Sequence, residues 1–515
     1  MKEKGGFPGL NFRFTIFSSS RVVALLLAFL FLVASCATNP VTKKREFVLL
    51  SEDEEIAIGK QQDPIALEEF GYFNDPKWQE YANQVGQRLA AVCHRPDLIY
   101  RFKVVDSPEV NAFALPGGYI YITRGLLTAL NSEAEMAAVL GHEIGHVTAR
   151  HAVEQYTKAK AYDYLRTIGA IVLSQVGVPS QVGQLFQLSD ILFFGVLMGY
   201  GRQAEFQSDQ LGIEYAYKAG YDPNAAEGFL KTLKGMDKDA GRGGFEGFFA
   251  SHPETADRIK AAEEGAKKWL SADGQKAPAR LIEGKEGYLT RLDGLPYGPN
   301  PKEGVVTGNI FRHKELGIEI TFPEKWEIFN GKSAVIAKEP DPEKDHESKK
   351  NRFIQLAAPD DLNKRYSPEE YAKKYVKGIK AGETKEIHGL KAYVGRGEGT
   401  HQKIGRITFL YGIFFKGDKA FHLVGFAPTG EFKEVEEKFR KTIESFRGLS
   451  AEEAEKIKPT RVKVYEVKAG ETLEAIVKEH AAKGQDVKEI AILNGLDPKK
   501  PDLKPGQKIK LIVPA

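Results

Sequence analysis

The segment His142-Glu143-Ile144-Gly145-His146 constrains this chain more than any other feature of its sequence. In an α-helix, residues i and i+4 project from one face, so the two imidazoles point the same way. Two imidazoles at this separation can hold one zinc ion, and Glu143 beside them can accept a proton from a metal-bound water. The motif therefore predicts a helix that carries a hydrolytic zinc site. The alternative is a pair of unrelated surface histidines on a helix.

A catalytic zinc site needs a third protein ligand, and its fourth position is left for water. His151 follows the motif too closely and points off its face, which makes it a poor candidate. The segment 201–212 is better, because Glu205 and Asp209 share one helix face. One carboxylate can bind the metal, and the other can hold a ligand imidazole in its required tautomer. The competing interpretation of this segment is a solvated acidic face.

The N-terminus has the pattern of a secretory signal, which we assign to residues 1–35. Arg21 precedes the apolar run Val22–Val33, which is too short to span a bilayer and ends in small residues. The residues Val33-Ala34-Ser35-Cys36 resemble the bacterial lipobox. The resemblance implies that Cys36 is acylated and holds the protein on a membrane, with Ala37 favouring the outer membrane. The alternative is an uncleaved anchor helix with an incidental cysteine.

The charge balance argues against one class of partner. The formal net charge is +3, and once residues 1–35 are set aside the basic and acidic residues are equal in number. A neutral body without a basic cluster offers no electrostatic basis for binding nucleic acid. Cys93 is the other cysteine of the chain, so no intramolecular disulfide is expected in the mature protein. Cys93 lies on an apolar helical stripe and is predicted to be a core residue.

Hydrophobic periodicity predicts an α+β multidomain architecture. Residues 63–275 are mainly helical, with one strand signal just before the metal motif. Residues 301–448 alternate apolar and polar residues in short runs, which predicts an antiparallel sheet accompanied by two helices. Between and around these regions we assign a lipid-anchored tether at 36–62, linkers at 276–300 and 449–462, and a small separate module at 463–515.

Three segments together resemble a known peptidase family. They are the metal motif, the segment Arg202 to Asp209, and Ser251-His252-Pro253 followed by Arg258. They resemble the gluzincin metallopeptidases of the CAAX prenyl protease type 1, HtpX and BepA group, as do the shorter segments 39–42 and 111–118. The resemblance covers about residues 37–275. It implies a mainly helical zincin-type domain with a small sheet.

The resemblance also implies the site residues. It implies zinc as the cofactor, with the ligands His142, His146 and Glu205, the catalytic base Glu143, and Asp209 as the carboxylate that orients a ligand histidine. His252 and Arg258 would lie beside the metal, where the family offers either oxyanion stabilisation or a histidine in the open zinc position. Gly201 and Ser208 depart from the family, in which many members have serine and alanine at these positions.

The surroundings of the motif lead to two further expectations. Tyr119-Ile120-Tyr121-Ile122-Thr123 is predicted to be an edge strand, to which an extended substrate peptide can add. The apolar stretches Ile168–Val178 and Ile191–Tyr200 are short for membrane spans and are predicted to be amphipathic helices that cap the active site.

The C-terminal module resembles the LysM domain, a small βααβ fold that binds N-acetylglucosamine-containing glycans such as peptidoglycan. Its landmarks are Tyr465 to Leu473, Asn494-Gly495-Leu496 and Leu503 to Ile509. Glycan contacts are expected in the loops near 470–472 and 492–496. The alternative is a generic small domain with glycine turns. In the middle region, 311–313 and 317–326 loosely resemble PsbP-like α+β domains, which implies a binding or spacer role.

Three functional hypotheses follow. The first is a zinc endopeptidase of the cell envelope, an outer-membrane lipoprotein facing the periplasm, which acts on misfolded or stalled outer-membrane and periplasmic proteins. The second keeps the zinc but works mainly as a chaperone or assembly factor, held inactive by His252 on the metal. The third is a lipoprotein that tethers peptidoglycan. Intact His142, Glu143, His146 and Glu205 argue against the third.

Overall fold

The computed structural model describes residues 36–160, 199–239, 252, 256–271, 280–331, 334–340, 351–362, 366–401, 404–482 and 485–514. The predicted signal at 1–35 lies outside these residues. So do the predicted helices at 168–178 and 191–200, apart from Gly199 and Tyr200. Within the described ranges, no helix is both long enough and apolar enough to cross a bilayer.

Helices make up most of the region that carries the metal motif. Their bounds are Glu52–Phe70, Pro76–Ala90, Arg124–Ala129, Glu133–Thr148, Arg202–Lys218, Ala225–Asp239 and Ala256–Leu270. The first of them begins at a capping box between Ser51 and Glu54, and it continues past residue 62 to Phe70. The tether predicted for 36–62 is therefore helical in its second part. Before this helix, Cys36–Thr38 pairs with Arg45–Phe47.

A three-stranded sheet packs beside these helices, and its order corrects one prediction. The strands lie in the order Arg101–Val105, Tyr119–Thr123, Ala112–Leu115. In the middle strand, Ile120 lies opposite Phe102 on one side and Ala114 on the other. The prediction that Tyr119, Ile120 and Tyr121 form an edge strand is therefore wrong.

The reason lies in the residues on both sides of that strand. Gly117 and Gly118 both have positive φ and turn the chain, so that Ala112–Leu115 folds back onto Tyr119–Thr123. Arg101–Val105, which is distant in sequence by comparison, adds in parallel on the other side. We call Ala112–Leu115 the edge strand, because it is the border of the sheet nearest the metal motif.

The middle domain (residues 301–448) has the antiparallel arrangement that the sequence predicts. Its larger sheet has the order Glu327–Asn330, Ala334–Lys338, Phe353–Ala357, Lys419–Pro428, Gly405–Lys416, Leu390–His401, Ile379–Ile387, and Asp360–Asp361 also pairs with Lys419–Pro428. Its smaller sheet has the order Arg447–Gly448, Ile318–Thr321, Ile310–His313, Val305–Thr307. The helices are Pro368–Tyr375 and Phe432–Glu444, and a short 3₁₀ turn spans Pro301–Glu303. The apolar clusters of this domain lie within residues 306–446.

The C-terminal module (residues 463–515) shows the βααβ order that the sequence predicts. It consists of strand Thr460–Glu466, helices Leu473–His480 and Val487–Leu493, and strand Lys508–Pro514. A short strand at Pro296–Tyr297 pairs with Thr460 and Arg461 and widens this sheet to three strands. Both predicted linkers contain helices, at Lys285–Leu292 and Ala451–Glu455.

The C-terminal module and the metal-motif region bury one continuous set of apolar side chains, which we call the shared core. Leu127 and Leu140 belong to it from one side, and Ile490 and Leu511 from the other. Tyr288, on the helix Lys285–Leu292, is fully buried between them and donates a hydrogen bond to the carbonyl oxygen of Leu127 at 2.6 Å. The module is therefore packed into the domain that carries the metal motif.

Candidate metal centre

The metal motif lies on the helix Glu133–Thr148, which we call the metal helix. It begins at Ser132, whose side chain accepts a hydrogen bond from the backbone N–H of Glu135. The helix is buried from Ala134 to Thr148, so it runs through the interior of the domain. A helix in this position must be apolar all round or must pair its polar side chains with each other. The two histidines of the motif satisfy the second condition.

The carboxylate helix (Arg202–Lys218) packs against the metal helix through small residues. A Cβ atom on Gly141 would lie 3.0 Å from the carbonyl oxygen of Gly212, and one on Gly145 would lie 3.1 Å from the Cα of Ser208. A Cβ atom on Gly212 would lie 2.8 Å from the backbone nitrogen of His142. The two backbones therefore approach too closely for larger residues, and this approach brings Glu205 to the histidines.

Four side chains converge at one point: His142, His146, Glu205 and His252 offer ligand atoms that all lie within 4.8 Å of one another. Glu205 Oε2 is 3.5 Å from His142 Nε2, and Glu205 Oε1 is 3.5 Å from His146 Nε2. The two Nε2 atoms are 3.0 Å apart. The three residues expected to bind zinc are thus brought together, as the resemblance implied.

Each Nε2 atom faces the centre because the other nitrogen of its ring is engaged. His142 Nδ1 lies 2.9 Å from Asp209 Oδ1, so that Nδ1–H donates to the carboxylate and the Nε2 lone pair faces the other ligand atoms. His146 Nδ1 lies 2.9 Å from His151 Nδ1. Burial, together with the neighbouring imidazoles and Arg258, lowers the pKa of His146 well below its usual value. Its imidazole is therefore neutral, as metal binding requires.

Asp209 is held as a carboxylate by Arg258. Arg258 Nε donates to Asp209 Oδ2 at 2.7 Å, and Arg258 Nη2 donates to Oδ1 at 2.8 Å. Burial favours the neutral acid, but the guanidinium charge and its hydrogen bonds outweigh burial and lower the pKa of Asp209 to about 2. Arg258 Nη1 also lies 3.0 Å from Glu205 Oε2. Arg258 therefore positions Glu205 and Asp209, the two carboxylates of the carboxylate helix. It acts on the metal centre through these two side chains.

His252 lies between the edge strand and the metal ligands. Its Nδ1 is 3.0 Å from both carboxylate oxygens of Glu205, and its Nε2 is 3.6 Å from Glu143 Oε1 and 3.4 Å from the carbonyl oxygen of Ala112. Burial opposes the charged imidazolium, but Glu205 more than compensates and raises the pKa of His252. The ring is within reach of a metal ion and of the carboxylate of Glu143.

Glu143 is a buried acid beside the metal ligands whose carboxylate makes no hydrogen bond within the described residues. It is fully buried, and neither carboxylate oxygen has a hydrogen-bond partner among the described residues. Burial raises its pKa. A buried carboxylate without hydrogen bonds costs several kcal/mol unless a charge or a ligand lies against it. The two imidazoles of the motif and Glu205 are the donor set of a hydrolytic zinc site, and this orphaned carboxylate lies beside them, so the residues fit the ion.

Two further residues support the centre and were missed by sequence reasoning. Tyr200 stacks on the ring of His146, with centroids 4.1 Å apart and planes 20° from parallel. His151 contacts His146 and is held on its other side by Gln207, whose Oε1 lies 3.0 Å from His151 Nε2. Arg150 has a φ of 59°, so the chain leaves the helical path and turns His151 back. Helical spacing alone, which excluded His151 as a ligand, gave no sign of this contact.

Comparison with known proteins identifies two regions of the chain. Residues 76–266 match the family model of Peptidase family M48, and residues 465–511 match that of the LysM domain. The chain therefore contains a peptidase family M48 domain and a C-terminal LysM domain, which confirms both resemblances. Zinc is the ion that this peptidase family uses, in agreement with the buried donor set.

Curated relatives match part of the chain. The mitochondrial metalloendopeptidase OMA1 of Schizosaccharomyces pombe is 33% identical over 236 residues, which is 45% of this chain and 65% of that protein. The beta-barrel assembly-enhancing protease of Escherichia coli is 27% identical over 225 residues, which is 42% of this chain and 43% of that protein. The chain thus spans less than two thirds of the length of these relatives.

A solved structure is similar to a smaller share of the chain. Cyanobacterial PsbP from Synechocystis sp. PCC 6803 aligns with 28% of this chain and 95% of its own length, at 13% identity and a TM-score of 0.22. A score this low carries no argument about fold. The PsbP-like character of the middle domain therefore stays a prediction.

Proposed function

We propose that the protein is a zinc-dependent endopeptidase of the bacterial cell envelope that hydrolyses misfolded or stalled outer-membrane and periplasmic proteins. The observation that carries the proposal is the meeting of His142, His146 and Glu205 beside the orphaned carboxylate of Glu143. A protein that only tethers peptidoglycan has no use for this carboxylate. The family match over residues 76–266 supports the same class of reaction.

The mechanism assigns one step to each side chain. Bound zinc would polarise the peptide carbonyl and lower the pKa of a water molecule. Glu143 accepts the water proton at a free oxygen and passes it to the leaving amine, and its raised pKa suits this exchange. His252 Nε2, which is 3.6 Å from Glu143 Oε1, is placed to donate to the developing oxyanion. Arg258 and Asp209 hold the ligands in position.

The border of the small sheet offers a place for an extended substrate. The edge strand is antiparallel to Tyr119–Thr123, and its first residue, Ala112, has its carbonyl oxygen 3.4 Å from His252 Nε2. A peptide added to this strand would pass the metal ligands. In the present arrangement His252 lies across that path.

The position of His252 favours a second candidate function. The ring touches Glu205 and lies within the group of possible metal ligands, so it can take the position that water needs. A protein in this state keeps its zinc and fold but hydrolyses slowly. It would then act mainly as a chaperone or assembly factor for outer-membrane proteins, with proteolysis released when His252 moves.

The envelope assignment rests on three supports. The LysM domain belongs to a class that binds peptidoglycan. The relative from Escherichia coli is a beta-barrel assembly-enhancing protease by name. The residues before Cys36 resemble a lipobox, and acylation of Cys36 would hold the protein on the outer membrane, facing the periplasm.

One assay tests the proposal and separates its two forms. Hydrolysis of casein and of an unfolded porin is compared for the wild type, Glu143→Gln, His252→Ala and a control, Glu154→Gln, whose exposed side chain pairs with Lys158. We expect Glu143→Gln to keep its zinc and to lower kcat by about 10²- to 10⁴-fold. Unchanged hydrolysis by Glu143→Gln refutes the endopeptidase. Faster hydrolysis by His252→Ala supports the gated form, and slower hydrolysis supports an oxyanion role.

A further inference from the structure

The contact between the C-terminal module and the M48 domain is specific. Lys510, on the last strand of the module, is fully buried, and its Nζ donates to three carbonyl oxygens at the end of the helix Arg124–Ala129. The acceptors are Thr128 O at 2.8 Å, Ala129 O at 3.2 Å and Leu130 O at 2.9 Å. A cation is favoured at a helix C-terminus, where carbonyl groups have no helical partner. The module is therefore docked in one orientation.

A cavity of about 450 Å³ lies between the two partners, next to this contact. The module contributes Ile492 and the loop Asn494 to Pro498, which overlap one of the two segments where glycan contacts are expected, 492–496. The M48 domain contributes Asn131, Glu135, Lys231 and Thr232. The volume is within the range of small-molecule binding sites in proteins. One wall of the expected glycan site is thus formed by the M48 domain and not by the module.

The two walls hold each other in place through close packing. A Cβ atom on Gly235 of the helix Ala225–Asp239 would lie 2.9 Å from the side chain of Ile492. Gly495 lies next to Asn131 and Thr232, because its added Cβ atom would be 3.7 Å from the side chain of each. The loop is therefore held against the M48 domain, and a ligand in the cavity touches both.

Glu135 is one of the buried polar residues that line this cavity, together with Asn131, Thr232 and Asn494. Its side chain belongs to the first turn of the metal helix and is 8% exposed. Oε2 accepts a hydrogen bond from the backbone N–H of Asn131 at 2.7 Å. A Cβ atom on Gly228, which also lines the cavity, would lie 3.4 Å from Oε1. The carboxyl group of Glu135 is therefore part of the wall that the M48 domain contributes to the cavity.

We propose that this cavity is a composite binding site for an N-acetylated amino-sugar glycan, with one wall from the LysM domain and the other from the M48 domain. Sugar hydroxyl and acetamido N–H groups can donate to the carboxyl group of Glu135, and the ammonium group of Lys231 can donate to sugar oxygens. The inference rests on the glycan-binding part of the proposed function and is independent of peptide hydrolysis. Glu135 precedes His142 by seven residues on the metal helix, so the glycan contacts the same helix that holds zinc.

The test uses the full chain and two probes. Binding of N-acetylchitotetraose is measured by calorimetry, and binding of purified peptidoglycan sacculi by sedimentation. The variants are Glu135→Gln and Lys231→Ala on the M48 wall and Asp497→Ala on the LysM wall. Lys234→Ala on the same helix is the control, because Lys234 does not line the cavity. Lys231 is exposed, so its variant keeps the fold, and thermal unfolding checks the others.

We expect both M48-wall variants to bind the tetrasaccharide about tenfold more weakly, as for the loss of one charge-assisted hydrogen bond. Lys234→Ala should bind like the wild type. If only Asp497→Ala weakens binding, the module binds glycan alone and the composite site is refuted. If the M48-wall variants lose affinity for sacculi but not for the tetrasaccharide, that wall contacts stem peptide and the amino-sugar assignment is refuted. A wild type that binds neither probe refutes the glycan-binding part of the proposed function, and the composite site with it.

Discussion

The C-terminal module and the middle domain differ in how each is attached to the M48 domain. In the sequence, the middle domain lies between the M48 domain and the C-terminal module. In the structure the module contributes to the shared core, whereas the apolar clusters of the middle domain lie within residues 306–446. The more distant segment of sequence is thus the one that completes the core.

The pairing of Pro296–Tyr297 with Thr460 and Arg461 explains this reversal. Thr460 donates a hydrogen bond from Oγ1 to the carbonyl oxygen of Tyr297 at 2.9 Å, and Val462 exchanges backbone hydrogen bonds with Gly294 and Leu295. The chain therefore leaves this sheet and returns to it at neighbouring points. The middle domain is an insertion between them, and its removal need not open the shared core.

The largest effect is expected from deletion of the C-terminal module, which we compare with deletion of the middle domain. Ending the chain after Lys458 removes the module and exposes the apolar side of the M48 domain, including Tyr288 and Leu127. We expect it to lose more than about 5 kcal/mol of unfolding free energy, which is comparable with the whole stability of a domain. Replacing residues 301–457 with a short Gly-Ser linker should leave zinc content and thermal unfolding of the shared core intact. A truncated chain that binds zinc and unfolds like the wild type would contradict the shared core.

Removal of zinc should destabilise the shared core and leave the middle domain unchanged. Chelation should lower the melting temperature of the shared core, because a ligand at a thousandfold excess over its Kd stabilises by about 4 kcal/mol. The transition of the middle domain should not move, since the metal ligands belong to the metal helix, the carboxylate helix and His252. Differential scanning calorimetry measures both transitions, and added zinc should restore the first. Equal shifts of both transitions would show that the domains unfold as one unit.

The converse change is Phe439→Ala in the middle domain. Phe439 is fully buried, crosses Trp326 at a centroid distance of 6.2 Å and fills the space beside Gly425. We expect a loss of about 3–5 kcal/mol from the unfolding free energy of the middle domain only. Zinc content and the shared-core transition should match the wild type. The exposed Lys441→Ala on the same helix is the control, and a lower zinc content in Phe439→Ala would show coupling between the domains.

The smallest effect is expected at the interface lysine, and it depends on pH. Lys510→Met leaves three carbonyl oxygens without their donor, which should cost about 1–3 kcal/mol at pH 7. Burial lowers the pKa of Lys510 to about 7 from an ordinary value of 10.5. Between these values the unfolded chain binds a proton that the folded chain does not, so wild-type stability rises with pH by at most about 1.4 kcal/mol per unit.

Denaturant unfolding at pH 6, 7, 8 and 9 measures this dependence. The stability difference between wild type and Lys510→Met should be nearly constant below pH 7 and should grow from pH 7 to pH 9. Glu135 faces the same interior, and burial raises its pKa, so Glu135→Gln is measured in parallel to separate its titration. A constant difference from pH 6 to pH 9 would show that Lys510 is charged throughout in the folded protein.

Local patterns predicted much of the fold and the centre of the site. The i, i+4 spacing of His142 and His146 places both imidazoles on one face in any helix, whatever surrounds it. Period-2 alternation predicted the antiparallel strands of the middle domain, and apolar periodicity predicted the two helices that accompany its sheet. The roles of Glu205, Asp209 and His252 came from resemblance to a family, because helical spacing left the two carboxylates interchangeable.

Other features depend on contacts that no local pattern contains. The composition of the strand Tyr119–Thr123 suits either an edge position or a central position in a sheet. It is central because Arg101–Val105 pairs with it. His151 reaches His146 because Arg150 has a positive φ, which spacing rules for a regular helix exclude. Residues 276–300 look like a linker, but Tyr288 becomes a core residue because the module covers it.

The sequence by itself determined that the chain carries a zinc-type motif on a helix, an antiparallel middle region and a βααβ module, because each depends on residues near one another along the chain. Only the tertiary structure decided that the module completes the core of the M48 domain and that Lys510 and Glu135 lie on the two sides of one interface. The physical reason is that burial depends on which surfaces meet. Apolar residues in the module need a cover, but their sequence does not say whether water-exposed loops, another chain or the metal helix provides it.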